Sequence, residues 1–277
     1  MKKTPFVLGL ACLGILASCK KDSAPEALSN EITQEEKALV AAAGFNSNWA
    51  EKTADGNFLI EGDILLSKAQ LDKMKGSAPT NNFIVAKEEH YRTYELVHTG
   101  STVRTITISI GSGFPSYYST GLDQSIAKYN SYNLNIRFQR VPSGGEIHIS
   151  GANLGRSFGG GCILGQAAGF PSGGNPAPGF TLSTNKCATS YINNANKADE
   201  VIAHEIGHCI GFRHTDYINR ASCGGGSGES AGTIGAVHID GTPETVSGSY
   251  NSWMMACTNG DPSFSSSDGI ALTTVYK

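Results

Sequence analysis

Three imidazoles and one carboxylate fall within the stretch His204-Glu205-Ile206-Gly207-His208-Cys209-Ile210-Gly211-Phe212-Arg213-His214. His204 and His208 are four apart, so a helix stacks them on one face. Neutral imidazoles at that spacing can hold one Zn²⁺ and leave a position open for water. Glu205 is one step round from His204 and points beside the ion, where a general base for that water belongs. Gly211 can adopt a left-handed backbone without a Cβ penalty, which ends the helix and lets His214 return as a third ligand.

The flanks supply the helix that such a site needs. Ala198, Val201, Ile202, Ile206 and Ile210 recur at helical spacing. Asn194 or Asn196 can cap its start, and Asp199 and Glu200 suit its positive end. Upstream, Arg104 to Ile110 alternates strictly and predicts a half-buried strand. A helix over 119–132, strands over 134–141 and 146–150, and an edge strand over 179–183 follow. The stretch 151–178 is rich in Gly, Ser and Pro and reads as loop. Nearer the N-terminus, the pattern predicts a helix over 29–43 capped by Ser29 or Asn30, strand character over 58–66 and a short helix over 67–75. A polar break spans 76–82. Beyond Gly211 the chain reads as loops, with a closing helix or extended tail over 265–275.

The eleven-residue motif resembles that of the metzincin zinc endopeptidases. Its wording, HEIGH followed by Gly211-Phe212-Arg213-His214-Thr215-Asp216, is most similar to the HEIGH metallopeptidase family of myxobacterial protease B. Metzincins carry a methionine turn beneath the metal, and Ser252-Trp253-Met254 resembles its S-x-M form, with Met255 as the alternative. Where many metzincins have a Tyr two residues past that Met, this chain has Ala256. An oxyanion-binding Tyr must then come from elsewhere, such as Tyr250 or Tyr217. Ile60-Glu61-Gly62-Asp63-Ile64 resembles the F-x-G-D prosegment motif of astacins, in which an Asp binds the zinc and displaces the water. By that resemblance Asp63 is a latency switch. The competing reading is a Gly-Asp tight turn between two strands. Asp216 reads as a brace of the zinc loop or a loop cap. The remaining histidines, His90, His98, His148 and His238, read as surface or loop residues. His238 precedes Asp240-Gly241-Thr242-Pro243, which resembles a loop of pappalysin-like enzymes and could bring it nearer the site. Asn219 to Ser230 reads as a surface loop.

The resemblance implies an α+β, two-subdomain zinc protease: a twisted mixed sheet with the active-site helix, then a loop-rich C-terminal subdomain. A small prosegment precedes it. The expected divisions are a lipoprotein signal peptide over 1–18, a tether and inhibitory prosegment over 19–98, and the peptidase domain over 99–277.

Met1-Lys2-Lys3 and the apolar run to Ala17 form a signal peptide, too short to span a bilayer. Its end, Leu16-Ala17-Ser18-Cys19, resembles a bacterial lipobox, which makes Cys19 the lipidated first residue of an exported protein; the alternative is a plain secretory signal. Lipid on Cys19 would anchor the chain to the outer membrane or cell surface without spanning it. The formal net charge is −3 and no basic cluster suggests nucleic acid. Gly numbers 34 of 277 residues, which favours a loop-rich extracellular enzyme over a helical bundle. Apart from Cys12 and Cys19, Cys162, Cys187, Cys209, Cys223 and Cys257 remain, an odd number. The expected pairs are Cys162–Cys187 and Cys223–Cys257, with Cys209 a buried free thiol.

The expected function is zinc-dependent hydrolysis of protein or peptide substrates by a monomer holding one catalytic ion. The alternatives are a zinc-containing, adhesin-like surface lipoprotein and an amide hydrolase acting on cell-wall peptides. The intact Glu205 argues against pure binding, since a zinc site alone does not need that carboxylate.

Overall fold

The computed structural model describes residues 31–75, 90–157, 160–226, 228–243, 251–261 and 263–277. Expectations for the signal peptide, Cys19, Ser29, Asn30, the break at 76–82 and Tyr250 lie outside them. In chain order the elements are α1 (Gln34–Ala42), β1 (Ala50–Lys52), β2 (Phe58–Ile60), β3 (Ile64–Leu66), α2 (Lys68–Met74) and β4 (Tyr91–Arg92). Then come β5 (Arg104–Ile110), α3 (Ser116–Asn130), β6 (Ile136–Arg140), β7 (Ile147–Ala152), β8 (Gly165–Ala167) and β9 (Gly179–Ser183). The last are α4 (Lys186–Tyr191), α5 (Ala195–Cys209), β10 (Val237–His238) and α6 (Ser266–Tyr276).

Eight strands form one mixed sheet in the order β1-β2-β3-β8-β9-β7-β5-β6. β5, β6, β7 and β9 run parallel, as the crossover through α3 requires, whereas β8 runs antiparallel to β9. Ile106 and Ile108 of β5 are fully buried, as the alternation predicts. α3 and α5 pack side by side, burying Tyr118, Leu122 and Tyr129 with Ala198, Ile202 and Ile206 in one core. Each fully buried side chain of this size contributes about 1.5–3 kcal/mol through removal of apolar surface from water. The hydroxyl of Tyr129 donates to the Ala203 carbonyl at 2.7 Å, fixing α3 against the middle of α5.

Several boundaries differ from the expectations. α1 begins after Thr33, whose side chain forms a capping box with Glu36. The segment 58–66 is a hairpin, β2 and β3 joined by Glu61-Gly62-Asp63. β9 is an interior strand, not an edge, because β8, hidden in the Gly-rich stretch, pairs along its other side. β8 is only three residues long, too short to show a period. The C-terminal tail is a helix capped by Ser265. No helix among the described residues is long and apolar enough to cross a membrane.

Candidate metal centre

Asn194 caps α5 by accepting from the Lys197 amide at 3.1 Å. The helix carries His204, Glu205 and His208 toward β8 and the C-terminal loops. It ends at Gly211, whose φ of 104° is the left-handed turn the sequence predicts. The chain then runs against β4: the Arg213 amide donates to the Tyr91 carbonyl at 2.9 Å, and the Thr93 amide donates to the Gly211 carbonyl at 2.8 Å. The Thr215 amide donates to the Met254 carbonyl at 2.8 Å. Between these fixed points His214 faces the two helix histidines.

Each ring is oriented through its outer nitrogen. His204 Nδ1 lies 2.9 Å from the Trp253 carbonyl, and His208 Nδ1 lies 2.9 Å from the Phe212 carbonyl. His214 Nδ1 lies 2.5 Å from Glu229 Oε1. A carbonyl only accepts, so Nδ1 of His204 and His208 carries the proton and Nε2 presents a lone pair inward. The Nε2 atoms of His204 and His208 are 3.1 Å apart. Asp63 Oδ2 reaches into the same point, 2.6 Å from His214 Nε2, 3.2 Å from His204 Nε2 and 3.5 Å from His208 Nε2. The four ligand atoms lie within 4.8 Å of one another.

This group fits a Zn²⁺ ion. Lone pairs of two imidazoles turned toward each other at 3.1 Å repel unless a cation stands between them. Asp63 Oδ1 and Glu205 Oε2 are buried with no hydrogen-bond partner among the described residues. Burial pushes the Glu205 carboxyl well up, aided by the Asp63 carboxylate, while His214 opposes. Burial depresses His208 to about 4, keeping it a neutral donor. Burial would lower His214 as well, but the Asp63 and Glu229 carboxylates hold it well above the usual range. The cluster thus draws in positive charge.

The profile of the family described as "Dual-action HEIGH metallo-peptidase" matches residues 58–276. The chain belongs to that family. Among solved structures, one of myroilysin is 19% identical over 42% of this chain and 44% of that chain, with a TM-score of 0.29. A second myroilysin structure is 17% identical over 64% of this chain and 85% of that one, with a TM-score of 0.36. High choriolytic enzyme 1, a hatching enzyme zinc-protease from the medaka fish Oryzias latipes, is 19% identical over 43% of this chain and 50% of its own, with a TM-score of 0.27. The chain spans less than half of that first myroilysin structure and half of the hatching enzyme. A comparison with curated proteins finds no match.

In this HEIGH metallopeptidase the Ser252-Trp253-Met254 turn packs against α5, with Met254 Sδ facing Gly207. Met254 is fully buried, whereas Met255 is half-buried and lines the cleft. Asp216 braces that turn: Oδ1 accepts from the Ala256 amide at 2.9 Å, and Oδ2 accepts from the Ser222 amide and hydroxyl. The cleft itself is a cavity of about 1010 Å³, lined by Asp63, His204, Glu205, Trp49, Gly165 and Trp253 among others. Both disulfides are present, Cys162–Cys187 and Cys223–Cys257, and Cys209 is free and buried. One cysteine of the first pair and both of the second line the cleft.

Four expectations change. His90 is not a surface residue: it is 1% exposed, with Nε2 2.6 Å from Asp268 Oδ1, because the helix α6 closes over it. Tyr217 lies over the Arg213 guanidinium at 4.8 Å and beside Tyr91, outside the cleft lining. His238 contacts Thr242 at 3.1 Å rather than the histidine group. The loop 219–230 is not simply surface, since it buries Glu229 beside His214, Arg213 and Arg220. The sequence signal for Glu229 was a single acid in a Gly/Ser-rich stretch that also contains one Arg. That pattern marks no period and so points to no partner.

Proposed function

We propose that this chain is an exported zinc metalloendopeptidase held latent by its own N-terminal segment. The observation that carries the reading is the convergence of three imidazole Nε2 atoms and the Asp63 carboxylate on one point, with Glu205 beside it. Zinc bound there by His204, His208 and His214 supplies Lewis acidity to a substrate carbonyl and to water. Glu205 accepts the proton of the attacking water and returns it to the leaving amine. Glu205 Oε2 is buried with no hydrogen-bond partner among the described residues, which leaves it open to that proton. Trp253, Phe212 and Glu229 hold the three rings in the tautomer and orientation that ligation needs. Met254 forms the floor beneath them, and Asp216 secures it.

Asp63 blocks this centre from the turn of the β2–β3 hairpin. The turn geometry of the tight-turn reading supports the switch reading, since from that turn Asp63 reaches His214. Gly62 has a φ of 92°, which a side chain would strain. We place the border between prosegment and peptidase before His90, not after His98. The chain from His90 to Val97 is tied to Asp268, Arg213, Gly211 and Tyr276, so it belongs with the zinc loop. Export through residues 1–18 and lipid on Cys19 is consistent with two disulfides, which persist in oxidising compartments.

The test compares full-length wild type, Asp63→Ala and Glu205→Gln, each zinc-loaded, on a peptide library with and without chelator. Asp63→Ala should cleave peptides without processing, chelator should abolish it, and Glu205→Gln should stay inactive after processing. A zinc-loaded Asp63→Ala protein without turnover would sink the latent-peptidase reading and favour surface binding.

A further inference from the structure

The N-terminal segment meets the peptidase side through one buried charge pair that does not touch the metal site's inner atoms. Glu61, two residues before Asp63, is 1% exposed. Both of its carboxylate oxygens lie 2.6 Å from Nη2 of Arg213, which sits between Phe212 and His214 in the zinc loop. Arg213 is itself buried, and its Nη1 donates to the carbonyls of Ser230, Ala231 and Gly235. A second guanidinium, Arg220, donates from Nη1 to the Glu61 carbonyl at 2.9 Å.

Resting on the latency reading above, we propose that Glu61 is the latch of the switch: its ion pair with Arg213 is what holds Asp63 in the metal centre. Three observations support it. First, the strand joint that would otherwise carry the plug is minimal. β3 and β8 share one register pair, Ile64 with Ala167, and the Ala167 amide donates to the Asp63 carbonyl at 2.7 Å. The segment's other anchors include Asn46 Nδ2 donating to the Gly228 carbonyl, the Thr233 amide donating to the Ala43 carbonyl, the Arg220 guanidinium over the Trp49 ring, and Phe58, Ile60, Ile64 and Leu66 in the shared core. The Glu61–Arg213 pair is its fully buried carboxylate–guanidinium contact among the described residues. Second, Glu61 has a φ of 55° and Gly62 one of 92°. A non-glycine residue is held left-handed only where surrounding contacts over-determine it, and here those contacts are the hairpin turn, the Glu61 amide donating to the Trp49 carbonyl, and the two arginines. Third, withdrawing Glu61 leaves two guanidinium charges facing the single carboxylate of Glu229. Glu229 already serves His214 at 2.5 Å and Arg220 at 2.5 Å, and its nearest approach to Arg213 is 3.6 Å. A buried charge left without its partner is strongly unfavourable, so the Arg213 socket draws Glu61 back.

The pair spans the two parts of the chain, so Glu61 acts on catalysis only through Asp63. It is a positioning residue of the latent state. The experiment measures peptide cleavage by full-length, zinc-loaded chain that intact mass shows to be uncleaved at the end of the assay. The variants are Glu61→Gln, Glu61→Asp, Asp63→Ala and the Glu61→Gln/Asp63→Ala double variant, with zinc content measured on each. Glu61→Gln should raise activity about tenfold or more over wild type, since it removes the charge and keeps the shape. Glu61→Asp, which keeps the charge on a shorter arm, should fall between. The double variant should match Asp63→Ala within about twofold, since both act on one event. If Glu61→Gln is as silent as wild type while Asp63→Ala is active, the latch is wrong and latency stands. If both are silent with zinc bound, the latency reading fails and takes the latch with it. If the double variant is much less active than Asp63→Ala, Glu61 supports the peptidase fold and the latch is overturned. Should Glu61→Gln not fold, Glu61→Asp decides alone: activity above wild type supports the latch, and activity equal to it overturns the latch.

Discussion

Gly207 of the zinc helix lies directly against Met254: a Cβ built on Gly207 would stand 2.3 Å from the Met254 Sδ and 2.9 Å from Trp253 Nε1. The fourth residue of HEIGH is therefore a packing requirement. It lets the methionine turn approach the helix between its two ligands, close enough for the Trp253 carbonyl to receive His204 Nδ1.

Gly207→Ala follows from that contact. The alanine is a better helix former by about 1 kcal/mol, yet overpacking costs about 1–3 kcal/mol. Sulfur and carbon at 2.3 Å cannot coexist, so the turn must move, and overpacking should win. Thermal unfolding should show a lower Tm, and zinc titration should show weaker binding because His204 loses its fixed acceptor. A variant with unchanged Tm and unchanged zinc affinity would mean that the turn is free to shift.

Glu205→Gln removes a charge and keeps the shape. The carboxyl lies against the β8 backbone, where a Cβ on Gly165 would stand 2.3 Å from Oε1, so a longer or differently shaped side chain would not fit. Zinc content should stay at one ion per chain. Turnover of the processed enzyme should fall by about 10²–10⁴-fold, the usual range for a lost general base. Turnover within a few-fold of wild type would assign the proton transfer to another group.

The histidines and Glu205 were legible because helical spacing is local: residues four apart meet whatever the rest of the chain does. β5 and α3 were legible for the same reason. Asp63 could be named only as a resemblance, because its approach to His214 joins positions 151 apart in the chain. Glu229, Arg213 and Asp268 were invisible as site residues for a related reason. Each is defined by a buried partner across the fold, and charge pairing at long range leaves no period. β8 was hidden because three residues inside a Gly-rich run cannot show alternation, and missing it turned β9 into an apparent edge.

Removing zinc should destabilise the latent chain more than a three-ligand site would predict. Asp63 Oδ2 lies within 4.8 Å of the three histidine nitrogens, so on the latent-peptidase proposal a bound ion would also hold the N-terminal segment. A ligand present at about 1,000 times its Kd stabilises the fold by about 4 kcal/mol. Chelation should therefore lower the Tm of wild type clearly, and by less in Asp63→Ala, whose zinc is bound more weakly. Equal Tm losses in the two proteins would show that Asp63 does not ligate.

The two disulfides should differ from Cys209 in what their loss does. Cys223–Cys257 closes a loop of 34 residues between the zinc loop and the methionine turn. It sits where Asp216 already joins Ser222 to Ala256. A cross-link of this span contributes about 2–4 kcal/mol, mostly by restricting the unfolded chain. Cys223→Ser/Cys257→Ser should lower stability in that range by chemical denaturation and raise KM, since both cysteines line the cleft. Cys209→Ser places a hydroxyl where a buried sulfur lies 3.6 Å from the Gly179 carbonyl. It should cost about 1 kcal/mol or less, because the hydroxyl can donate to that carbonyl. KM and zinc content should not change. In the native protein a thiol reagent should leave Cys209 unlabelled until denaturant is added, and rapid labelling of Cys209 in the native state would contradict its place between α5 and β9.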